Sequence, residues 1–185
     1  MTDHEATNDG AVFSPDRLFR YKLWRCWDYG PSLIVIGCNP SVADETSDDP
    51  TIRRCIGYAK REGLAGLVML NVHPYRATDP RDLQRYERSV IGQSAPITIN
   101  AEHIRHTIRD SQIVWGQSYV LAAWGNHGEK YAERTNQELV ALGVGVACLG
   151  MTRRGQPRHP LYMRADAPFG AWIFGGGPLV KGVEI

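Results

Sequence analysis

Two rhythms of apolar residues run through the chain. Residues 31–37 (PSLIVIG), 66–72 (GLVMLNV), 119–125 (YVLAAWG) and 143–150 (GVGVACLG) are nearly uninterrupted apolar runs, the pattern of parallel strands buried on both faces. Residues 17–27 (RLFRYKLWRCW) instead alternate large apolar or aromatic residues with basic ones, which predicts an antiparallel strand or a hairpin-like flap. Trp24 and Trp27 read as packing residues of that flap. Between the apolar runs the period becomes helical: Asp49 can cap a helix, Pro50 suits its first position, and Ile52, Cys55, Ile56 and Ala59 recur at i, i+3, i+4 and i+7. Further helices are predicted over 80–87, 101–112 and 129–142. The alternation predicts an α/β fold, a three-layer α/β/α sandwich around a mainly parallel four-stranded sheet, with the N-terminal antiparallel strand or flap added. Residues 1–12 carry no periodicity and predict a loose tail, followed by one α/β domain over 13–185.

Composition narrows this picture. A chain of 185 residues, 43% hydrophobic and 22% charged, can fill one core but not two comfortable ones. Its net charge of +1 argues against a binder driven by overall basicity and leaves room only for a local basic patch. Cys26, Cys38, Cys55 and Cys148 form no C-x-x-C pair and follow no secretory leader. That pattern predicts a reducing, cytoplasmic setting without a disulfide framework or a cysteine-built metal site. His73 and His127 stand alone, so neither a metal nor another cofactor is expected. No apolar run approaches the roughly 18 residues of a membrane span.

The chemistry lies where the apolar runs end. Gly37-Cys38-Asn39-Pro40 follows the first run, Asn71 and His73 the second, Trp124-Gly125-Asn126-His127 the third, and residues 151–162 (MTRRGQPRHPLY) the fourth. If these strands are parallel, their polar ends share one sheet edge, where open α/β sheets bind ligands. Asparagine can both donate to and accept from a nucleobase edge. Each candidate also has a structural reading. Asn39-Pro40 can simply form a turn, Asn71 can satisfy a loop amide, and Asp49 reads first as a helix cap, while Asp44 or Glu45 could supply the general base that Asn39 cannot. Arg53, Arg54, Arg76, Arg153, Arg154 and Arg158 form either a solvated surface or a phosphate grip.

The stretches RYKLWRCW, GCNPSVADETSDDPTIRRC, LNVHPYRATDP, AAWG and GQPRHPLYM together resemble the bacterial and phage domain-of-unknown-function family 1643. That family is more remotely similar to the uracil-DNA glycosylase superfamily. The shared features are the order of a Gly-x-Asn-Pro turn, a strand ending in Asn71, a strand ending at Gly125, and a late His159-Pro160. The resemblance implies a uracil-DNA-glycosylase-like fold and a nucleobase-containing ligand, DNA among the candidates. By it, Asn39 would hold or polarise the water attacking the sugar C1′, Asn71 would read the Watson–Crick edge of the base, and His159 would donate to a base oxygen as charge develops there. Cys38, Pro40, His73 and Tyr162 complete the expected base-binding set. The Asp-Pro-Tyr-His form of the first motif is absent, and the last motif reads His-Pro-Leu-Tyr, with Leu161 or Tyr162 available to wedge or stack. Two functions follow as expectations: an N-glycosidase or related hydrolase, or a non-catalytic module that binds a base, nucleotide or nucleic acid.

Overall fold

The computed structural model describes residues 8–89 and 95–172. Its centre is the four apolar runs, now strands β3 (Ser32–Gly37), β4 (Gly66–Asn71), β5 (Tyr119–Ala122) and β6 (Val146–Cys148). They pair in parallel in the order β4-β3-β5-β6. Because parallel neighbours need a crossover, each connection contains helix: α1 (Pro50–Arg61) after β3, α2 (Pro80–Ser89) and α3 (Ala95–Trp115) after β4, and a single turn α4 (Gly125–Gly128) with α5 (Ala132–Ala141) after β5.

Both faces of these strands are covered, which explains why their sequences do not alternate. Leu33 and Val35 of β3 and Leu67 and Met69 of β4 pack against Ile52, Cys55, Tyr58 and Ala59 of α1. The residues between them in sequence, Ile34, Ile36 and Leu70, join Ile104 and Ile108 of α3 and Leu139 of α5 on the other face. α1 starts as its sequence dictates: the Asp49 carboxylate accepts the Ile52 N–H at 2.9 Å and Pro50 occupies the first turn.

The sheet has seven strands, not four. β2 (Arg20–Cys26), expected as a strand or flap, pairs antiparallel with β4 and is flanked in turn by antiparallel β1 (Gly10–Phe13). β7 (Gly170–Ala171) pairs antiparallel with β6 at the other margin. The loose-tail expectation therefore fails for residues 10–12. β1 is too short to show a period in sequence, and it exists because β2 offers it a ladder. Residues 1–7 and 173–185, part of the predicted tail and of the predicted domain, lie outside the described residues. The predicted helix at 129–142 divides into a 3₁₀ turn (Glu129–Tyr131) and α5, while α3 runs well beyond 101–112 at both ends. Among the described residues no helix is long and apolar enough to cross a membrane.

Arg25 on β2 ties the sheet to the loop between β3 and α1. Almost wholly buried, it donates to the Asp44 carbonyl at 2.7 Å and the Asp48 carboxylate at 2.9 Å. Those bonds fix the loop that delivers Asp49. Replacing Arg25 by Ala strands a carbonyl and a carboxylate together, so the variant is expected to lose about 3 kcal/mol in urea denaturation. Limited proteolysis should then cut first in residues 41–49.

Candidate functional site

Strand order reverses around β3: the chain steps from β3 to β4 on one side, then returns past β3 to β5 on the other. Loops leaving the carboxyl ends of strands on either side of such a switch point diverge and leave a crevice. Here the crevice is a cavity of about 820 Å³. Its walls come from the loop after β3, the first turn of α1, the end of β4, the turn at Gly125 and the segment from Thr152 to Tyr162. Gly125 has φ +62, the left-handed conformation that turns the chain sharply after Trp124. Its N–H donates to the Pro157 carbonyl at 2.8 Å, which draws the 151–158 hairpin over the cavity.

Five side chains give the cavity its chemistry. The amide nitrogen of Asn39 donates to the carbonyls of Ala77 (2.7 Å), Pro40 (3.1 Å) and Tyr75 (3.5 Å). With the NH₂ group engaged, Oδ1 is the atom left with open capacity, so Asn39 serves the cavity as an acceptor. Asn71 is set the other way. Its Oδ1 accepts from Arg20 Nη2 at 3.3 Å, its backbone carbonyl accepts from Asn100 Nδ2 at 2.8 Å, and its own Nδ2 is buried without a partner. Gly37 makes room for that amide, since a Cβ there would lie 3.0 Å from Nδ2 and 2.6 Å from Met69 Cε.

His159 caps a 3₁₀ turn, with Nδ1 accepting the Leu161 N–H at 3.4 Å. The neutral ring therefore carries its proton on Nε2 and is a donor there. Burial lowers the His159 pKa, opposed by the negative charge of Asp49 and reinforced by His127. Asp49 is the carboxylate of the cavity: one oxygen caps α1, and the residue itself lines the wall. Arg20 is its buried cation. It is 2% exposed, and burial lowers its pKa to about 10, leaving it charged at neutral pH, with Asp49 acting in its favour.

Of the residues proposed from sequence, Cys38, Asn39, Asn71, Arg153, Arg158, His159 and Tyr162 line this one cavity. Burial pushes the Cys38 thiol up to about 12, so it is a neutral wall group. The other candidates lie outside its lining. Glu45 forms a two-bond ion pair with Arg17 on the surface, and the Asp44 carboxylate accepts the N–H groups of Thr46 and Ser47 within its own turn. Neither therefore stands where a base for this cavity is needed. Pro40 is buried and supports the Asn39 loop through its carbonyl. His73 is buried against the Tyr131 ring, 4.9 Å between centroids, with Nδ1 accepting the Tyr75 N–H.

The predicted arginine grip divides. Arg153 and Arg158 stand at the cavity wall, Arg158 with Nε on the Met151 carbonyl at 2.9 Å. Arg53 and Arg54 line a neighbouring groove of about 420 Å³ that shares Leu161 with the cavity. Arg154 pairs with Glu129, and Arg76 lies over the Phe13 ring with Nη1 on the Arg17 carbonyl. Arg20 and the cavity role of Asp49 were missed from sequence. Arg20 becomes visible only when β2 is known to run antiparallel beside β4, which brings the start of one strand near the end of the other, where Arg20 Nη2 reaches Asn71 Oδ1. Asp49 was legible as a cap, and its capping role concealed its second one.

A family model described as "Protein of unknown function (DUF1643)" matches residues 20–161. No curated protein and no solved structure matches the chain.

The packing beneath the cavity has a pH signature. Burial lowers the His73 pKa from 6.5 to about 4, outweighing the attraction of Glu87. The unfolded chain then takes up a proton at higher pH than the folded one, so stability is full above about pH 6.5 and is lost as pH falls from there towards 4. The loss is on the order of 3 kcal/mol, given the burial of His73. His73→Asn keeps an acceptor for the Tyr75 N–H, and its denaturation midpoints should be flatter across that window than the wild type's.

Proposed function

The chain belongs to the DUF1643 family, and from the chemistry of its cavity we propose that it binds a nucleobase and hydrolyses the N-glycosidic bond of that base in a nucleotide or nucleic acid. The observation that carries this reading is that a carboxylate, Asp49, and a neutral imidazole donor, His159, line the same cavity as the fixed acceptor of Asn39 and the free donor of Asn71. Glycosidic cleavage leaves an oxocarbenium-like sugar and an electron-rich base, and so needs acceptors on the sugar side and donors on the base side. Water adds to C1′ and gives up a proton, the C1′–N bond breaks with its electron pair passing to the base, and the base leaves as an anion that then takes a proton from solvent. In this scheme Asp49 takes the proton of the attacking water, Asn39 Oδ1 orients that water, and His159 Nε2–H stabilises charge on a base oxygen.

The rest of the molecule supports the scheme. A cavity of about 820 Å³ accommodates a nucleoside. Arg153 and Arg158 at the wall, with Arg53 and Arg54 in the groove beyond Leu161, offer phosphates a path on either side of the mouth. Exposed Tyr162 can stack on a neighbouring base, which favours DNA or another polynucleotide over a free base. Helices on both faces of a parallel sheet suit the three-layer, uracil-DNA-glycosylase-like arrangement. The free thiols suit a reducing cytoplasm.

The test is base release from uracil-, hypoxanthine- and mismatch-containing DNA, nucleosides and nucleotides. One of these substrates should be cleaved. On it, His159→Ala should lower the rate constant by on the order of a hundredfold, about 3 kcal/mol, with little change in affinity. Asp49→Asn keeps a helix cap of equal quality yet removes the base, so activity should fall by about a hundredfold or more in a variant whose circular dichroism shows it folded. Unchanged activity in Asp49→Asn would remove Asp49 from the mechanism. Tight binding without base release by the wild type would reduce the protein to a recognition module.

The electrostatic part is separable. Neutralising Arg153 and Arg158 together should weaken nucleic-acid binding uniformly across sequences and reduce the slope of log affinity against log salt by about 2. A salt-independent affinity would indicate a free base or nucleoside ligand.

A further inference from the structure

A glycine inside an α-helix weakens it, because its backbone loses the most freedom on folding and it packs nothing in return. Gly57 sits within α1, and its surroundings do not require it. Its φ is not positive, and a Cβ added there would meet nothing within 4 Å. The position is open to a side chain that the sequence withholds. What the missing side chain leaves clear is the floor of the groove of about 420 Å³ beside the cavity.

That groove lies between one stripe of α1 and the segment after His159. Pro50, Arg53, Arg54, Gly57 and Tyr58 recur at i, i+3, i+4, i+7 and i+8 and so share a helix face, with Leu161 opposite them. Towards the end of α1 the two walls are tied together. Tyr58 Oη donates to the Arg164 carbonyl at 2.9 Å, and Arg61 Nη1 donates to the carbonyls of Ala165 (2.9 Å) and Ala167 (2.8 Å). At the start of α1, Pro50 and Leu161 line both groove and cavity, so the two adjoin. Arg53 is steadied by Nη1 on the Asp48 carbonyl. Neither Arg53 nor Arg54 is in an ion pair among the described residues, and no carboxylate lines the groove. Two guanidinium groups without a carboxylate between them suit a phosphate.

We propose that this groove is the subsite for the nucleotide next to the one whose base enters the cavity, that Arg53 and Arg54 hold its phosphodiester, and that Gly57 keeps it open. The substrate is then a polynucleotide strand rather than a lone nucleoside. The inference rests on the nucleobase reading above and adds to it where the neighbouring nucleotide lies and what holds space for it. Because Pro50 and Leu161 belong to both concavities, one strand can fill the two together. A larger side chain at position 57 would fill the groove from its floor without entering the cavity, which Gly57 does not line.

Nucleosides of 2′-fluoroarabinose test the idea by titration calorimetry without turnover, because fluorine beside C1′ disfavours the oxocarbenium-like state and the base stays attached. The probes are such nucleosides of uracil, hypoxanthine and the ordinary DNA bases, with the dinucleotides that add thymidine on the 5′ or the 3′ side of each. Wild-type protein should bind at least one dinucleotide about tenfold or more tighter than its parent nucleoside. Gly57→Met should bring that ratio to within about twofold and leave nucleoside affinity unchanged; Gly57→Gln replaces it should it not fold. Arg54→Gln should also lower the ratio and flatten its dependence on salt. Gly57→Ala, whose methyl group leaves most of the groove free, should keep the ratio and raise the melting temperature. A lower melting temperature in Gly57→Ala would return the glycine to the fold and overturn its role. Equal binding of nucleosides and dinucleotides by the wild type overturns the inference and leaves the nucleobase reading standing. A gain retained in both Gly57→Met and Arg54→Gln puts the neighbouring nucleotide outside the groove and overturns it too. Binding of none of the probes overturns the nucleobase reading and this inference with it.

Discussion

Parallel pairing of β4, β3, β5 and β6 is the constraint from which the rest of the molecule follows. Parallel strands cannot be joined by tight turns, so every connection crosses a face, and both faces must be apolar to receive what crosses. The same pairing brings all four carboxyl ends to one edge. Helix α1 leaves one way and α3 the other, and the loops between them part at β3. The cavity is the space left by that parting, so it belongs to the topology before it belongs to any side chain.

The antiparallel margin adds what the parallel centre cannot. β2 reaches the edge with its first residue, and that residue is Arg20, a charge placed among the ends of strands running the opposite way. A second arginine, Arg25, holds the carbonyls of the β3–α1 loop from beneath. Both charges are buried, yet each satisfies oxygens that would otherwise be stranded in the turn after β3. The loop bearing Asn39 and Asp49 is thus shaped by a strand that contributes little to the apolar core around it. This division, apolar centre and polar margin, puts one acceptor, one carboxylate and two donors in one enclosure without long loops.

Several of these groups serve two purposes. Asp49 caps α1 and lines the cavity, Asn39 ties its turn through its nitrogen and offers its oxygen, and His159 caps a turn through Nδ1 while keeping Nε2 free. In each, a backbone partner fixes the end of the side chain that is not offered. Preorganisation of this kind is what a site needs if it is to stabilise charge without reorganising.

The central strands and α1 could be read directly from the chain, because burial on two faces leaves uninterrupted runs such as residues 32–36 and a cap followed by Pro50 is a local signal. The gathering of Asn39, Asn71 and His159 followed from the same runs, since parallel strands end together. Features depending on a partner distant in sequence were not legible. β1 and β7 are too short to carry a period, and they are strands because β2 and β6 present them with unpaired backbone. Asp44 and Glu45 were the carboxylates that looked suited to serve as a base, until folding turned Glu45 towards Arg17 and closed Asp44 into its own turn, leaving Asp49, read only as a cap, in the cavity wall. Sequence by itself determined which residues could be buried and which could do chemistry, because hydropathy and functional groups are properties of single residues. Tertiary structure alone decided which way an amide faces and which carboxylate is enclosed, because those depend on the guanidinium or the backbone N–H that happens to stand opposite.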